Sequence, residues 1–167
     1  IIKDKEVILI GAGGAAKAIA YLCGDMGAKG VYILNRNREK AEALAAEINS
    51  YFGKIAVPLG LEDYRNIPEG KYPVIQTTSV GLYPDIEKAA IMEADFYKYV
   101  ESGVDIIFNP EETLFMRKCA QAGARAFNGL KMLLYQGIAG FELWNNVKVP
   151  EDMVREVYEL LQKEMKA

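Results

Sequence analysis

The sequence predicts a doubly wound α/β domain: a parallel sheet of about six strands with helices on both faces and two helices closing the chain. Three observations predict it. Apolar runs of strand length alternate with segments of helical periodicity along all 167 residues. A glycine-dense turn, GAGGAA at 11–16, joins the first strand to the first helix. No repeat, low-complexity tract or linker interrupts the alternation, so residues 1–167 read as one domain.

The elements follow in order. EVILI (6–10) is a short apolar run of the kind buried in a parallel sheet. Residues 14–26 form an Ala-rich helix with apolar spacing at Ala15, Ala18, Ile19 and Leu22, punctuated by Gly27 and Gly30. VYIL (31–34) is the second strand. REKAEALAAEINSY (38–51) is a strong helix former with Ala41, Leu44, Ala45 and Ile48 on one face. KIAVPL (54–59) reads as a third strand ended by Pro58, PVIQT (73–77) as a fourth, and VDIIF (104–108) as a fifth. Between the last two, 81–102 is irregular apart from a helical turn near 93–99. A helix at 113–122 is stopped by Gly123 and followed by a short sixth strand, Arg125–Phe127. Helices over 129–144 and 151–165 end the chain, with Pro150 suited to a helix start.

Composition narrows the function. A net charge of −3 argues against a nucleic-acid partner, and no apolar stretch approaches the ~20 residues of a bilayer span. The first residues, IIKDKEV, lack a signal-peptide pattern and an initiator Met, as in a processed chain or a piece of a longer one. Cys23 and Cys119 sit on helical segments among apolar neighbours and read as buried thiols, which suits the cytoplasm. Histidine is absent, which removes imidazole chemistry from this chain and argues against a transition-metal site.

The strand, glycine turn and helix match the dinucleotide-binding pattern of a Rossmann-type fold. Gly11 permits the tight turn and Gly13 lets backbone approach a pyrophosphate. Ala16 takes the third small position, and the helix amino end offers N–H groups to the phosphates. The end of the second strand discriminates between cofactors. An NAD site places Asp or Glu there, whereas this chain has LNRNREK (34–40), with Arg36, Asn37, Arg38 and Lys40 at the mouth. Arg forks and a Lys charge suit a ribose 2′-phosphate, and first-turn cations oppose the helix dipole unless an anion is nearby, so NADP is expected over NAD. None of the ten tyrosines is followed four places later by Lys, which excludes the Tyr-x-x-x-Lys reductases.

Further blocks are more specific: IGAGGAAKAIAY (10–21), LNR (34–36), QTTSVGLYP (76–84), DIIFNPEETLF (105–115) and NGLKMLLYQGIAGFELW (128–144). Together, in this order, they resemble the NADP-binding C-terminal domain of shikimate dehydrogenase. The resemblance implies reversible NADPH-dependent reduction of 3-dehydroshikimate to shikimate in chorismate and aromatic amino-acid biosynthesis. It implies that Gly11, Ala12, Gly13, Gly14 and Ala15 cradle the pyrophosphate, and that Asn35, Arg36, Asn37, Arg38 and Lys40 hold the adenosine phosphate. Thr78, Ser79 and Val80 would line the groove, and Ile106, Gly129 and Met132 the nicotinamide end. Gln136 would reach the substrate hydroxyls, beside Phe108, where the family often has Tyr. The chain departs from the family at Asn37 for Thr, Lys40 for Arg and Gln76 for Asn.

The family's amino-terminal substrate domain, with its Lys–Asp pair and Ser-x-Ser, is expected to lie outside this sequence. That leaves a cofactor half with no catalytic residue of its own and no activity alone. Two other readings stay open: another two-domain dehydrogenase, such as one acting on quinate or methylene-tetrahydrofolate, and a module sensing dinucleotide redox state. Elsewhere structural roles are expected. Asp105 reads as a structural carboxylate, Thr78 and Ser79 as loop hydrogen-bonders and Lys131 as a surface residue. Phe141 and Trp144 are expected to pack between the final helices. The stripe of Met153, Val154, Val157, Leu160, Leu161 and Met165 is expected to pack as well.

Overall fold

The computed structural model describes residues 2–165. Its centre is a six-stranded parallel sheet: β1 (Glu6–Ile10), β2 (Gly30–Asn35), β3 (Ala56–Gly60), β4 (Tyr72–Gln76), β5 (Val100–Asp105) and β6 (Arg125–Phe127). The spatial order is β3-β2-β1-β4-β5-β6, so the chain reverses direction across the sheet between β1 and β4. β1 alternates between two cores. Val7 and Leu9 join the small residues of α1 (Gly14–Asp25) and the face of α2 (Arg38–Phe52). Ile8 and Ile10 join Tyr64, Phe96 and Tyr97, with Phe115 and Cys119 of α3 (Leu114–Gln121). Apolar residues on both faces are what a covered parallel sheet requires. The chain closes with α4 (Leu130–Asn145) and α5 (Glu151–Glu164).

Four expectations shift. Pro58 does not end β3 but lies within it, in register with Ile33. β3 is an edge strand, where a residue without an N–H can leave its outer side unpaired. β5 starts at Val100 and stops at Asp105 rather than running from 104 to 108. The Asp105 carboxylate accepts the Ile107 N–H at 3.0 Å, and this local bond turns the chain out of the sheet. α1 buries Ala16, Ala20 and Cys23, whereas Ala18 and Leu22 are exposed. With alanines at so many positions the sequence allows several faces, and the face of small side chains is the one that fits against β1. The apolar residues of the last two helices are largely uncovered. α5 has no buried residue, and Trp144 is 84% exposed rather than packed between helices. Phe141, Met153, Val154, Val157 and Leu161 line an apolar cleft between α4 and α5, yet Phe141, Met153 and Val157 remain exposed there. Cys23 and Cys119 are buried free thiols, as expected.

Candidate cofactor crevice

In an open parallel sheet, ligands bind beyond the carboxyl ends of the strands where the strand order reverses, here between β1 and β4. Successive loops close around that point. Gly11, at φ +115°, donates its N–H to the Leu34 carbonyl at 2.8 Å, and a Cβ there would strike the Thr77 hydroxyl. Thr77 in turn bonds the Ile10 carbonyl through both its N–H (2.8 Å) and its hydroxyl (2.7 Å). The positive φ and the close approach both require glycine at 11. Beyond it the space opens: nothing lies within 4 Å of where a Cβ of Gly13 or Gly14 would sit.

The starts of the helices differ. α2 is capped by the Asn37 side chain, which accepts the Lys40 N–H, and α3 by Thr113, which accepts the Met116 N–H. α1 is preceded at its cap position by Gly13, which has no side chain to cap it. The first N–H groups of α1 therefore lack a side-chain acceptor beside an open surface, and the helix dipole is positive there. This is a fit for a pyrophosphate bound through backbone N–H groups by Gly11, Ala12, Gly13, Gly14 and Ala15.

The turn after β2, where the sequence reading expects the adenosine phosphate, differs in detail from a cluster of free cations. The Asn35 amide donates to the Asn37 carbonyl at 2.8 Å, and Asn37 is occupied as the cap. Arg38 is shared between Glu42 (Nε to Oε1, 3.1 Å) and Asp63 (Nη1 to Oδ2, 3.3 Å). The chain thus supplies its own anions to this first turn, which weakens the dipole argument for Arg38. Arg36 and Lys40 are exposed, and Arg36 lines a cleft of about 480 Å³ with Gly60, Asp63 and Ile91.

A buried polar network that the sequence reading did not join together ties the other loops. Gln76 and Asp105 are register partners on β4 and β5, and neither is exposed. The Gln76 Nε2 donates to Asp105 Oδ1 (3.2 Å) and to the Thr78 carbonyl (3.1 Å), while its Oε1 accepts the Thr78 N–H. Thr113 donates its hydroxyl to Asp105 Oδ2 at 2.7 Å. Burial pushes the Asp105 carboxyl up to about 6, against the lowering effect of its three donors. The Asp105 carboxylate is buried and accepts bonds from Gln76, Ile107 and Thr113. It holds the 77–80 loop, the 106–108 loop and the start of α3 in one unit. Within the first of these, Thr78 accepts the Val80 N–H at 3.2 Å, while Ser79 is exposed.

At the far end, Gly129 donates to the Ile107 carbonyl at 2.9 Å and packs against the Ile106 backbone so closely that a Cβ would collide with its carbonyl. Ile106 and Phe108 are half-buried, and Met132 and Gln136 lie exposed one and two turns along α4. Residues i, i+3 and i+7 share a helix face, so Gly129, Met132 and Gln136 are aligned. Lys131 is exposed, its ammonium 5.4 Å from the Tyr158 ring centre.

Comparison with known proteins agrees with this architecture. The shikimate/quinate 5-dehydrogenase family profile matches residues 1–66, and the shikimate 5′-dehydrogenase C-terminal domain profile matches residues 129–157. The chain resembles the C-terminal half of the shikimate dehydrogenases. Shikimate dehydrogenase (NADP(+)) of Desulforamulus reducens is 36% identical over 167 residues, covering 92% of this chain and 53% of that protein. A chorismate mutase/shikimate 5-dehydrogenase fusion protein from Clostridium acetobutylicum superposes with a TM-score of 0.82 at 30% identity, covering 99% of this chain and 57% of that one. Shikimate 5-dehydrogenase from Listeria monocytogenes, solved with shikimate and NAD, gives a TM-score of 0.81 at 29% identity, covering 94% and 56%. The chain spans about half the length of the shikimate dehydrogenases it matches.

Proposed function

We propose that residues 1–167 are the NADP(H)-binding domain of a reductase interconverting 3-dehydroshikimate and shikimate. The observation that carries this reading is the uncapped start of α1 facing open space at Gly13 and Gly14, at the switch point of the sheet. The matches to shikimate dehydrogenases named for NADP(+) support the reaction, and we place it in chorismate and aromatic amino-acid biosynthesis. Bound NADPH supplies the hydride for the substrate carbonyl. Gly11 to Ala15 hold its pyrophosphate. Arg36 and Lys40 meet the 2′-phosphate, on a loop shaped by Asn35, Asn37 and Arg38. Thr78, Ser79 and Val80 wall the groove, and Ile106, Gly129 and Met132 orient the nicotinamide end. Gln136, with donor and acceptor on one amide, suits a polyhydroxylated ring beside Phe108.

No residue of this chain is assigned the proton of the new hydroxyl. Asp105 is enclosed by Gln76, Thr113 and the Ile107 N–H, with no exposure through which to exchange a proton with substrate. We assign that step to a Lys–Asp pair on a substrate domain outside these 167 residues, the partner of this half. Among the described residues no helix is long and apolar enough to cross a membrane. The two free thiols favour the cytoplasm.

The test is turnover. The chain alone is expected not to oxidise NADPH with 3-dehydroshikimate, because positioned acid–base groups contribute roughly 10²–10⁴-fold in rate. Joined to a substrate domain it is expected to do so. In that form Gln136→Ala raises KM or lowers kcat while leaving NADPH affinity and Tm nearly unchanged. Turnover by the chain alone at the joined protein's rate would contradict the assignment. So would a Gln136→Ala variant that loses Tm but keeps its kinetics.

A further inference from the structure

The adenosine end of the crevice carries more negative charge than a site for a 2′-phosphate calls for. Its cleft is lined by one cation, Arg36, and by the carboxylates of Glu62, Asp63 and Glu93. Asp63 is the best placed of these. Gly60, the last residue of β3, is the register partner of Asn35, so the turn that follows β3 stands beside the 35–37 loop. The Asp63 carboxylate is fixed there by the Gly60 N–H at 3.0 Å, and the same oxygen takes Arg38 Nη1 at 3.3 Å. Arg38 is held from its other side by Glu42.

We propose that Asp63 is a specificity-determining residue of this site: its carboxylate engages Arg38 and opposes a 2′-phosphate bound at Arg36, and so narrows the preference for NADPH over NADH. This rests on the reading that the crevice binds NADP(H). A 2′-phosphate is the one feature that separates the two cofactors, and it carries up to two negative charges. A fixed carboxylate lining the same cleft as Arg36 repels it, through a field that reaches about 10 Å at 0.1 M salt, and leaves the adenosine of NADH nearly untouched. A neutral backbone donor anchors Asp63, so an incoming anion does not simply displace it. Asp63 also ties up a guanidinium fork that would otherwise suit phosphate.

Asp63→Asn keeps a carbonyl oxygen for the Gly60 N–H and removes the charge. Fluorescence titration of the chain with NADPH and with NADH reads the effect. The variant is expected to bind NADPH about three- to tenfold more tightly, with NADH changed less than about twofold and the gain shrinking at ~0.5 M salt. Asp63→Ser, which offers a hydroxyl to the same N–H, is expected to show the same selective gain if the Asn variant folds poorly. An unchanged NADPH-to-NADH ratio in both variants overturns the proposal. So does weaker NADPH binding, which would make Asp63 a support that holds Arg38 ready for phosphate. Failure of the unmutated chain to bind either dinucleotide would instead overturn the cofactor reading itself.

Discussion

Asp105 and Gly129 each tie loops of the crevice to one another, and each makes a sharp prediction. The Asp105 carboxyl is raised from the usual aspartate value to about 6 by burial, so the folded chain holds a proton that the unfolded chain has lost between about pH 4 and 6. Folding stability from this group therefore falls as pH rises through that window. Asp105→Asn removes the titration. Urea unfolding from pH 4 to 7 should show the variant gaining on the wild type by about 2 kcal/mol as pH rises from 4 to 6, with a constant difference above that. Parallel pH profiles would mean that Asp105 titrates normally. Gly129→Ala drives a methyl into the Ile106 carbonyl, so α4 or the 106–108 loop must shift. The expected loss is about 2 kcal/mol or more by thermal unfolding, with weaker dinucleotide binding. A loss below about 0.5 kcal/mol would show that this contact yields easily. Neither role is written in the local sequence. Gln76 and Asp105 meet because β4 and β5 pair in one particular register, and the two are 29 positions apart. The Gly turn at 11–14, by contrast, is legible because strand, turn and helix are contiguous.

At the scale of elements, hydrophobic periodicity located the α-helices and most of the strands, β5 only at its end, but not always the face that is buried. α2 presents the face its spacing indicates, Ala41, Leu44, Ala45 and Ile48, because most of its other positions are charged or polar. α1 does not, because alanines occur on several faces and only contact with β1 chooses among them. The apolar stripe of α5 is legible as amphipathic, yet what should cover it is not encoded in the helix itself. α4 gives a direct contrast. Leu134 is 6% exposed and Trp144 is 84% exposed on the same helix. Leu134→Ala is expected to cost about 2–5 kcal/mol, and Trp144→Ser less than about 0.5 kcal/mol, by thermal unfolding of the chain. A large loss at Trp144 would mean that the indole packs as the sequence suggests.

For the whole molecule, the reversal of the sheet between β1 and β4 brings separate loops to one edge, and the crevice is the product of that topology rather than of any one motif. The fold and the glycine turn could be read from sequence. The division of labour among Asn35, Arg36, Asn37, Arg38 and Lys40 could not, since capping by Asn37 and the Arg38–Asp63 pair depend on where α2 starts and where β3 ends. The central claim is that this edge holds NADP(H) with Arg36 on the 2′-phosphate. Fluorescence titration of the chain and of Arg36→Ala with NADPH and NADH tests it most directly. The account predicts that the chain binds NADPH, and that the variant loses roughly tenfold to a hundredfold in NADPH affinity, as expected for a charged hydrogen bond, with NADH affinity unchanged. Equal losses for the two cofactors, or no binding of NADPH by the chain, would contradict it.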